Sequence, residues 1–409
     1  MTIGKDNSGV LYAVKRAGSA VAYCSLSVRG GTRYEAGFHS GIAHFTEHTV
    51  FKGTEHKSAR IIGSYIDRLG GELNAYTTKE EIVLHATVLK EDISKACGIL
   101  MELATMASFP DKEIETEKGV VTDEIQSCKD CLADYIYDKF EERLFQGHPL
   151  AMPILGTRTS VRQISSQELR KFASEKFAPT GTAFCIVADI DEKKVEQMLL
   201  RMLSRYYDSP GKTVNISDST AKVPHNVFCD TIARKSHETN VIIGGYAPSL
   251  YEEKERMAAI LLCNILGGPG SNSILNRILR EKNGWVYGVE SSYTQYSDTG
   301  IMAISLGCER ENMDKCIATV EREIQKMQQD RLSDRALKAS RKQLLGQLAI
   351  ASDNGESQCL GMGKSLLAFG RIPSRDEDRS KIEAVSAEEI QDMAQRVFAP
   401  QSTSRIVMA

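Results

Sequence analysis

The chain has 409 residues, of which 42% are hydrophobic and 26% charged, and its formal net charge is −3. This length is sufficient for two or three domains with separate cores, and the composition is close to the globular average. No run of lysines and arginines is present, so neither a nucleic-acid nor a membrane-surface partner is indicated. No apolar stretch approaches the roughly 20 residues of a spanning helix, and the N-terminus lacks the pattern of a signal peptide. We therefore expect a cytoplasmic protein.

The 10 cysteines are scattered through apolar contexts such as AYCSLSV and ILLCNIL. Without an export signal this distribution is typical of reduced core thiols. Cys128 and Cys131 form a C-x-x-C, but no second pair accompanies them. We interpret them as two small residues on adjacent turns of one helix.

The first half alternates strands and helices. The stretch AVAYCSLSVRGG is rich in β-forming residues. Residues 41–52 predict a helix with Ser40 as its N-cap and Gly53 after its end. The pattern then predicts a second helix (ARIIGSYIDRLGG), a strand pair with a polar turn at 78–81, helices over EDISKACGILMELATMA and 111–145, and a strand, GTAFCIVADI.

Residues 207–224 lose hydrophobic periodicity and gain Ser, Pro, Asp and Lys, which predicts a linker between an N-terminal domain, 1–206, and a C-terminal domain, 225–409. After the linker the order of elements repeats: a strand, two helices, a strand pair and a helix. The sequence therefore predicts an α+β protein of two homologous domains, each an antiparallel-rich sheet covered by helices.

Two histidines and a glutamate lie within five positions of the first predicted helix, in the order H-x-x-E-H. Because each helical residue advances about 100°, His44, Glu47 and His48 share one face. Two imidazoles four residues apart bind one zinc ion, and the carboxylate beside them takes a proton from a zinc-bound water, whose pKa is lowered to about 7. This is the inverted form of the zinc-peptidase motif. The competing interpretation is a pair of packed, hydrogen-bonded histidines.

A catalytic zinc needs a third protein ligand, and the stretch EKGVVTDEIQS offers two candidates. Glu117 and Glu124 are almost two helical turns apart and share a face. One of them can bind the metal and the other can hydrogen-bond a ligating imidazole. An ordinary solvated acidic helix remains the alternative, because spacing alone does not separate these readings.

Four segments occur in order: GIAHFTEHTVFKGT, LGGELNAYTTKEEIVLHATVL, EKGVVTDEI and GHPLAMPILGT. Together they resemble the pitrilysin/insulysin family of inverted-motif zinc peptidases. The half-length size resembles the mitochondrial-processing-peptidase-like branch. The resemblance implies two α/β-sandwich domains that form half of a clamshell.

The resemblance also implies roles for individual residues. His44, His48 and Glu124 would bind one Zn²⁺ per chain, Glu47 would be the general base and Glu117 a supporting acid. The LNAYT segment matches the family's edge strand, on which a peptide lies.

Asn74, Ala75 and Tyr76 would meet the peptide substrate at that strand, which is consistent with strand addition by main-chain hydrogen bonds. His85, where the family usually has an aromatic residue, is interpreted as a strand histidine and not as a ligand.

A further resemblance lies in LNRILREKNGWVYGV, which matches the family's Arg/Tyr element with Arg280 and Tyr287. A guanidinium holds a substrate carbonyl or carboxylate, and a tyrosine hydroxyl donates to an oxyanion. Because this chain carries both the zinc motif and the Arg/Tyr element, the resemblance suggests a homodimer in which Arg280 and Tyr287 act in trans.

These features predict a zinc metalloendopeptidase that cuts peptides or unfolded segments in a closed chamber. One alternative is a non-catalytic scaffold of the same fold, which would have lost ligands. The other is a zinc protein that captures peptides without cutting them. A structural zinc normally has four protein ligands, whereas three candidates are present here.

Overall fold

The structure is a computed structural model that describes residues 1–207, 223–234 and 237–409. Its strands, in chain order, are β1 Thr2–Lys5, β2 Leu11–Arg16, β3 Val21–Arg29, β4 Glu72–Thr77, β5 Glu81–Leu89, β6 Thr182–Ala188, β7 Cys229–Ile232, β8 Glu238–Ala247, β9 Val286–Gln295, β10 Gly300–Glu309 and β11 Thr403–Met408. Its α-helices are α1 Ile42–Val50, α2 Ala59–Tyr65, α3 Ile93–Met106, α4 Asp111–Asp130, α5 Leu132–Leu144, α6 Arg158–Gln163, α7 Ser166–Lys176, α8 Glu192–Tyr206, α9 Glu253–Gly267, α10 Met313–Gln329, α11 Asp334–Ala351, α12 Gly355–Phe369, α13 Arg375–Ala384 and α14 Ala387–Val397. A π-helix covers Asn276–Lys282.

The chain forms two compact units, and each unit draws on three stretches of sequence. Within the described residues, the stretches of unit 1 are Met1–Ser127, Met152–Thr220 and Ile350–Pro373, and those of unit 2 are Cys128–Ala151, Ala221–Ala349 and Ser374–Ala409. Residues 208–222 of the predicted linker lie outside the described residues, and the predicted domain boundaries stay a prediction. The two units nevertheless depart from a simple division into halves, because α5 belongs to unit 2 and α12 to unit 1.

The two units repeat one strand order. The sheet of unit 1 runs β1-β2-β6-β3-β5-β4, and the sheet of unit 2 runs β7-β11-β8-β10-β9. If β1 is left aside, the second series is the first with each strand number raised by five. In both sheets the central strand pairs antiparallel with the second strand of the next hairpin, as β3 does with β5 and β8 with β10. The repetition of elements predicted from the sequence is thus present in the topology.

Each sheet is covered on both faces. In unit 1, one face packs against α3 and the neighbouring helices in a core that includes Leu26, Leu84 and Leu100. The opposite face carries α12, whose Cys359, Met362, Leu366 and Leu367 pack against Ala13, Ala183, Cys185 and Val187. In unit 2, α5 has the corresponding place, because Ile136 and Phe140 pack against strand residues such as Ile242 and Ile406. One helix from a distant part of the sequence therefore completes each sandwich.

All 10 cysteines are free. Six of them are buried as expected for core thiols, namely Cys24, Cys97, Cys185, Cys308, Cys316 and Cys359. Cys128 and Cys131 do not lie on one helix, because α4 ends at Asp130 and Cys131 is the N-cap of α5. Among the described residues no helix has the length and apolar character needed to cross a bilayer.

Candidate metal centre

Helix α1 begins one residue later than predicted, and its first N–H groups are bound by a different residue from the one predicted. Its N-cap is Gly41, with φ of 88°, and Ser40 supplies no capping hydrogen bond, so the prediction for Ser40 is wrong. Instead, the buried Glu35 carboxylate accepts the backbone N–H groups of Gly41 and Ala43, both at 2.9 Å. A side chain at Gly41 would meet Leu155 O at 2.8 Å, so the loop of Leu155 requires glycine here. The Glu35 carboxylate and the loop of Leu155 thus fix the start of the helix that bears the histidines.

The two histidines of α1 and one glutamate of α4 converge. The His44 and His48 rings lie 4.6 Å apart between centroids. Glu124 Oε2 is 3.7 Å from His44 Nε2 and 3.4 Å from His48 Nε2. One ligand atom from each of these three residues lies within 4.8 Å of the others. Among the described residues this is the one such group that could hold a metal ion.

The Nδ1 atom of His48 contacts a second glutamate of α4, Glu117. Glu117 Oε1 lies 2.9 Å from His48 Nδ1, and Lys52 Nζ lies 2.7 Å from Glu117 Oε2. The Glu117 side chain is only 7% exposed. A carboxylate in this position fixes the ring orientation of His48 and leaves Nε2 directed at Glu124. Of the two acids that spacing left open, Glu124 joins the convergent set and Glu117 supports a member of it.

Glu47, the residue between the histidines, is held by the neighbouring strand. Thr77 Oγ1, at the end of β4, donates to Glu47 Oε2 over 2.6 Å. Glu47 is half-buried beside His48 and Glu124. Burial raises the pKa of Glu47, while the Thr77 hydrogen bond and the charge of His48 act against that rise.

The electrostatics separate the two histidines. Burial, with the nearby His48, lowers the pKa of His44 to about 4. Burial acts in the same direction on His48, but the hydrogen bond with Glu117 and the nearby Glu124 carboxylate outweigh it and raise the pKa of His48 to about 9. The nearby imidazole of His48 lowers the pKa of Glu124, so this carboxylate is ionised at neutral pH.

The convergent set fits a zinc ion. Ligand bonds of about 2.0–2.2 Å in a tetrahedron place neighbouring ligand atoms about 3.3–3.6 Å apart, and the two His–Glu124 distances of 3.7 and 3.4 Å are close to this spacing. Glu124 Oε2 is buried and has no hydrogen-bond partner, although buried carboxylate oxygens are normally satisfied. Two imidazoles and one carboxylate are also the donors of a catalytic zinc site with an open fourth position.

The predicted substrate strand lies at the edge of its sheet. β4 has one neighbour in the sheet, β5, and Asn74 lies opposite His85 in that pair. Asn74 and Tyr76 are exposed, whereas Ala75 is half-buried and packs against the core of unit 1. His85 Nδ1 lies 3.0 Å from Glu356 Oε1 of α12 and takes no part in the convergent set, as expected.

Arg280 and Tyr287 lie in unit 2. Arg280 belongs to the π-helix, and Tyr287 is the second residue of β9. Both side chains are exposed, Tyr287 to 60%. Within the described part of the chain, neither the guanidinium nor the hydroxyl has a hydrogen-bond or ion-pair partner. Their predicted roles stay a prediction.

Sequence reasoning missed three residues of this region: Glu35, Lys52 and Thr77. Glu35 acts on Gly41 and Ala43 from the segment before α1. Lys52 and Thr77 act across longer intervals of sequence, on Glu117 and on Glu47. Thr77 lies in the LNAYT segment, of which only Asn74, Ala75 and Tyr76 are predicted to have a role. Spacing within one element does not reveal such pairs, because their partners lie on other elements.

The fold and the His-His-Glu set define a protein with the architecture and donor groups of a zinc peptidase. A family model described as insulinase, peptidase family M16, matches residues 11–158, which include the whole convergent set. A second, described as the peptidase M16 inactive domain, matches residues 163–344. The chain belongs to the M16 peptidase family.

Relatives from bacteria carry zinc-protease names. A protein of Rickettsia bellii, named an uncharacterized zinc protease, is 28% identical over 94% of this chain and 91% of that protein. The zinc protease YmxG of Bacillus subtilis, also named as uncharacterized, is 27% identical over 90% of this chain and 88% of its own length.

Two solved structures share the fold. A protease from Helicobacter pylori superposes with a TM-score of 0.87 at 16% identity, covering 100% of this chain and 98% of that one. A Pseudomonas fluorescens structure described as a peptidase M16 inactive domain superposes with a TM-score of 0.88 at 17% identity, covering 100% and 97%. The predicted α+β fold of two sheet-and-helix domains is confirmed.

Proposed function

We propose that this chain is a zinc-dependent metalloendopeptidase that hydrolyses peptides or unfolded segments. The observation that carries the proposal is the convergence of His44, His48 and Glu124 around an unpartnered carboxylate oxygen, with Glu47 beside it. Zinc-protease relatives over more than nine-tenths of the chain support it. A scaffold of the same fold would not need to keep these four groups.

When bound, zinc would polarise the scissile carbonyl and lower the pKa of a water molecule. His44, His48 and Glu124 would hold the ion through Nε2, Nε2 and Oε2. Glu47 would accept the proton of the attacking water as the new C–O bond forms. It would then pass that proton to the amide nitrogen as the C–N bond breaks, so no net proton stays on the enzyme.

The edge of β4 is suited to an extended peptide. Its outer backbone groups face no further strand of the sheet, so a peptide can pair with them by main-chain hydrogen bonds. β4 ends at Thr77, which contacts Glu47 directly. A peptide paired with Asn74, Ala75 and Tyr76 would therefore lie along the strand that leads to the general base.

The test is cleavage of an unstructured peptide of some 20–30 residues, followed by mass spectrometry. The wild type should cut, and Glu47→Gln, which keeps the shape but not the basicity, should be slower by roughly 10²–10⁴-fold. A chelator should abolish cutting and added Zn²⁺ should restore it. Binding of the peptide without cutting would favour the capture alternative. Equal cutting by wild type and Glu47→Gln would mean that another residue is the base.

A further inference from the structure

Thr77 makes the shortest hydrogen bond of the candidate centre. Its hydroxyl donates to Glu47 Oε2 over 2.6 Å, within the range of about 2.5–2.7 Å typical of hydroxyl-to-carboxylate bonds. A threonine hydroxyl has one proton to donate, and here that proton is directed at Glu47. The two residues are separated by 30 positions and lie on different elements, α1 and β4.

The position of Thr77 on its strand explains why its side chain faces α1. Along β4 the exposed residues Glu72, Asn74 and Tyr76 alternate with the half-buried Leu73, Ala75 and Thr77. The second set faces the helices, and β4 packs on α1 in unit 1. The hydroxyl at the end of the strand therefore meets the middle of the helix that bears the histidines.

A glutamate side chain has several freely rotating bonds, and among the described residues Thr77 is the one group that donates a hydrogen bond to the Glu47 carboxylate. With Oε2 fixed by Thr77, Oε1 is the oxygen left to exchange a proton. Because proton transfer needs a heavy-atom distance of about 2.6–3.2 Å, the orientation of this carboxylate limits the rate.

We propose that Thr77 is a positioning residue that orients Glu47 for proton transfer and so ties the general base to the substrate strand. This inference rests on the proposed function and adds a residue to it. Thr77 touches neither the donor set nor, in this scheme, the reacting atoms, and it acts through Glu47 alone.

The kinetic test compares Thr77→Val, Thr77→Ser and the wild type. Valine keeps the β-branched shape and strand preference and removes only the hydroxyl. We expect Thr77→Val to lower kcat by about 10–100-fold with KM and bound zinc unchanged, since a small misplacement of a catalytic group has effects of this size. Thr77→Ser, which restores the hydroxyl, should recover most of the rate.

Two further variants distinguish positioning from general damage. Thr87→Val makes the same change on the adjacent strand β5, opposite Glu72, and should leave kcat unaltered. In a Glu47→Gln background Thr77→Val should cost little more, because an impaired base gains little from orientation. The proposal is overturned if Thr77→Val keeps its kcat, if serine does not rescue, or if KM alone changes.

A readout without catalysis separates this inference from the proposed function. If the wild type cuts no peptide, the proposed function fails, and a double-mutant cycle on urea unfolding still tests the contact. Thr77→Val should lower the unfolding midpoint in the wild type and lower it less in a Glu47→Ala background, where the hydroxyl has already lost its partner. Equal shifts in the two backgrounds would overturn the inference.

Discussion

The two units share a strand order but differ in the helix that follows the central strand. In unit 1 that helix is α1, with the sequence IAHFTEHTV, and in unit 2 it is α9, EKERMAAILLCNILG. α9 buries alanines and leucines against its sheet, among them Ala258, Leu261 and Leu262. α1 also buries apolar residues, such as Ile42 and Phe45, but its other face carries the histidines and Glu47.

This difference shows that packing and chemistry are separable in the repeated architecture. Both helices satisfy the same requirement, an apolar face against a sheet. Only α1 combines it with metal donors, and among the described residues no donor group of this kind occurs in unit 2. The description of the second matched family model as an inactive domain agrees with this asymmetry. Function therefore has to be argued from the site and not from the shared fold.

The largest expected effect, on bound zinc and on activity, comes from removing a metal donor from α1, so that α1, like α9, lacks the pair of histidine donors. His44→Ala should reduce bound zinc from one per chain to almost none, because two ligands hold the ion far less tightly than three. Peptide cleavage should fall by more than the roughly 10²–10⁴-fold expected for a lost general base. Zinc is measured by elemental analysis after dialysis. The matched control is His56→Ala, an exposed histidine outside the donor set, which should retain both zinc and activity.

The second effect concerns the glutamates at the starts of the two helices. Burial raises the pKa of Glu35 from 4.5 to about 7, although Ala43 and Gly41 donate to it. Glu252, the N-cap of α9, behaves oppositely, since the Ser249 N–H and Arg396 outweigh burial and lower its pKa. The stabilising contribution of protonated Glu35 is present below about pH 4.5 and is lost as the pH rises to about 7.

Urea midpoints at pH 5 and 7.5 test this contrast. The stability of the wild type relative to Glu35→Gln should fall on going to pH 7.5, by up to about 3 kcal/mol for a shift of this size. Relative to Glu252→Gln, the wild type should change little over this range, because the contribution of a carboxylate with a lowered pKa is already present above about pH 4.5 and is lost only at lower pH. If both pairs fall equally between pH 5 and 7.5, or if neither changes, the opposite environments of these two carboxylates are not present in solution.

The sequence alone predicts the elements with local signals. The hairpin of β4 and β5 follows from its polar turn, and α1 from the spacing of its apolar residues. Spacing also predicted that Glu117 and Glu124 share a face of α4. Which of the two meets the histidines followed only from the family resemblance, and the geometry of the structure agrees with it.

What local patterns do not contain is the choice of distant partners. The exchange of α5 and α12 between the halves of the sequence is of this kind, because an amphipathic helix does not specify which sheet it covers. Ser40 illustrates the same limit at residue level. It has the preferred N-cap chemistry, yet Glu35 is already placed by its own loop to take the free N–H groups of the helix.

A third effect concerns Glu117, which orients His48. Helix α9 contributes to no metal-donor group among the described residues and has no equivalent of this contact. Glu117→Gln keeps the size of the side chain but replaces the ionised acceptor of His48 and the partner of Lys52. We expect zinc affinity to fall by about 10–100-fold, as is usual for groups that orient a ligating imidazole. Competition with a chromophoric chelator measures this change. Glu115→Gln, an exposed acid on the same helix, is the control and should bind zinc as the wild type does.

Substitutions of Arg280 and Tyr287 in unit 2 should change the free energy of unfolding least, while still lowering the rate of peptide cleavage. Arg280→Ala and Tyr287→Phe alter exposed side chains, so the unfolding free energy should stay within about 0.5 kcal/mol of the wild type. If these groups assist catalysis as the family resemblance implies, kcat/KM should nevertheless fall by about 100-fold with zinc unchanged, at the lower end of the range for a lost oxyanion donor. Unaltered kinetics would leave unit 2 with a purely structural part.

Complementation then tests the proposed homodimer. Differently tagged Glu47→Gln and Arg280→Ala chains are co-expressed, and mixed dimers are isolated through both tags. If Arg280 of one protomer acts on the peptide held by the other, one site in each mixed dimer has an intact Glu47 and an intact Arg280, and about half the wild-type activity should return. If Arg280 acts within its own chain, every site keeps one defect and no activity returns. The exposed Arg280 and Tyr287 would then belong to a site that each chain completes alone.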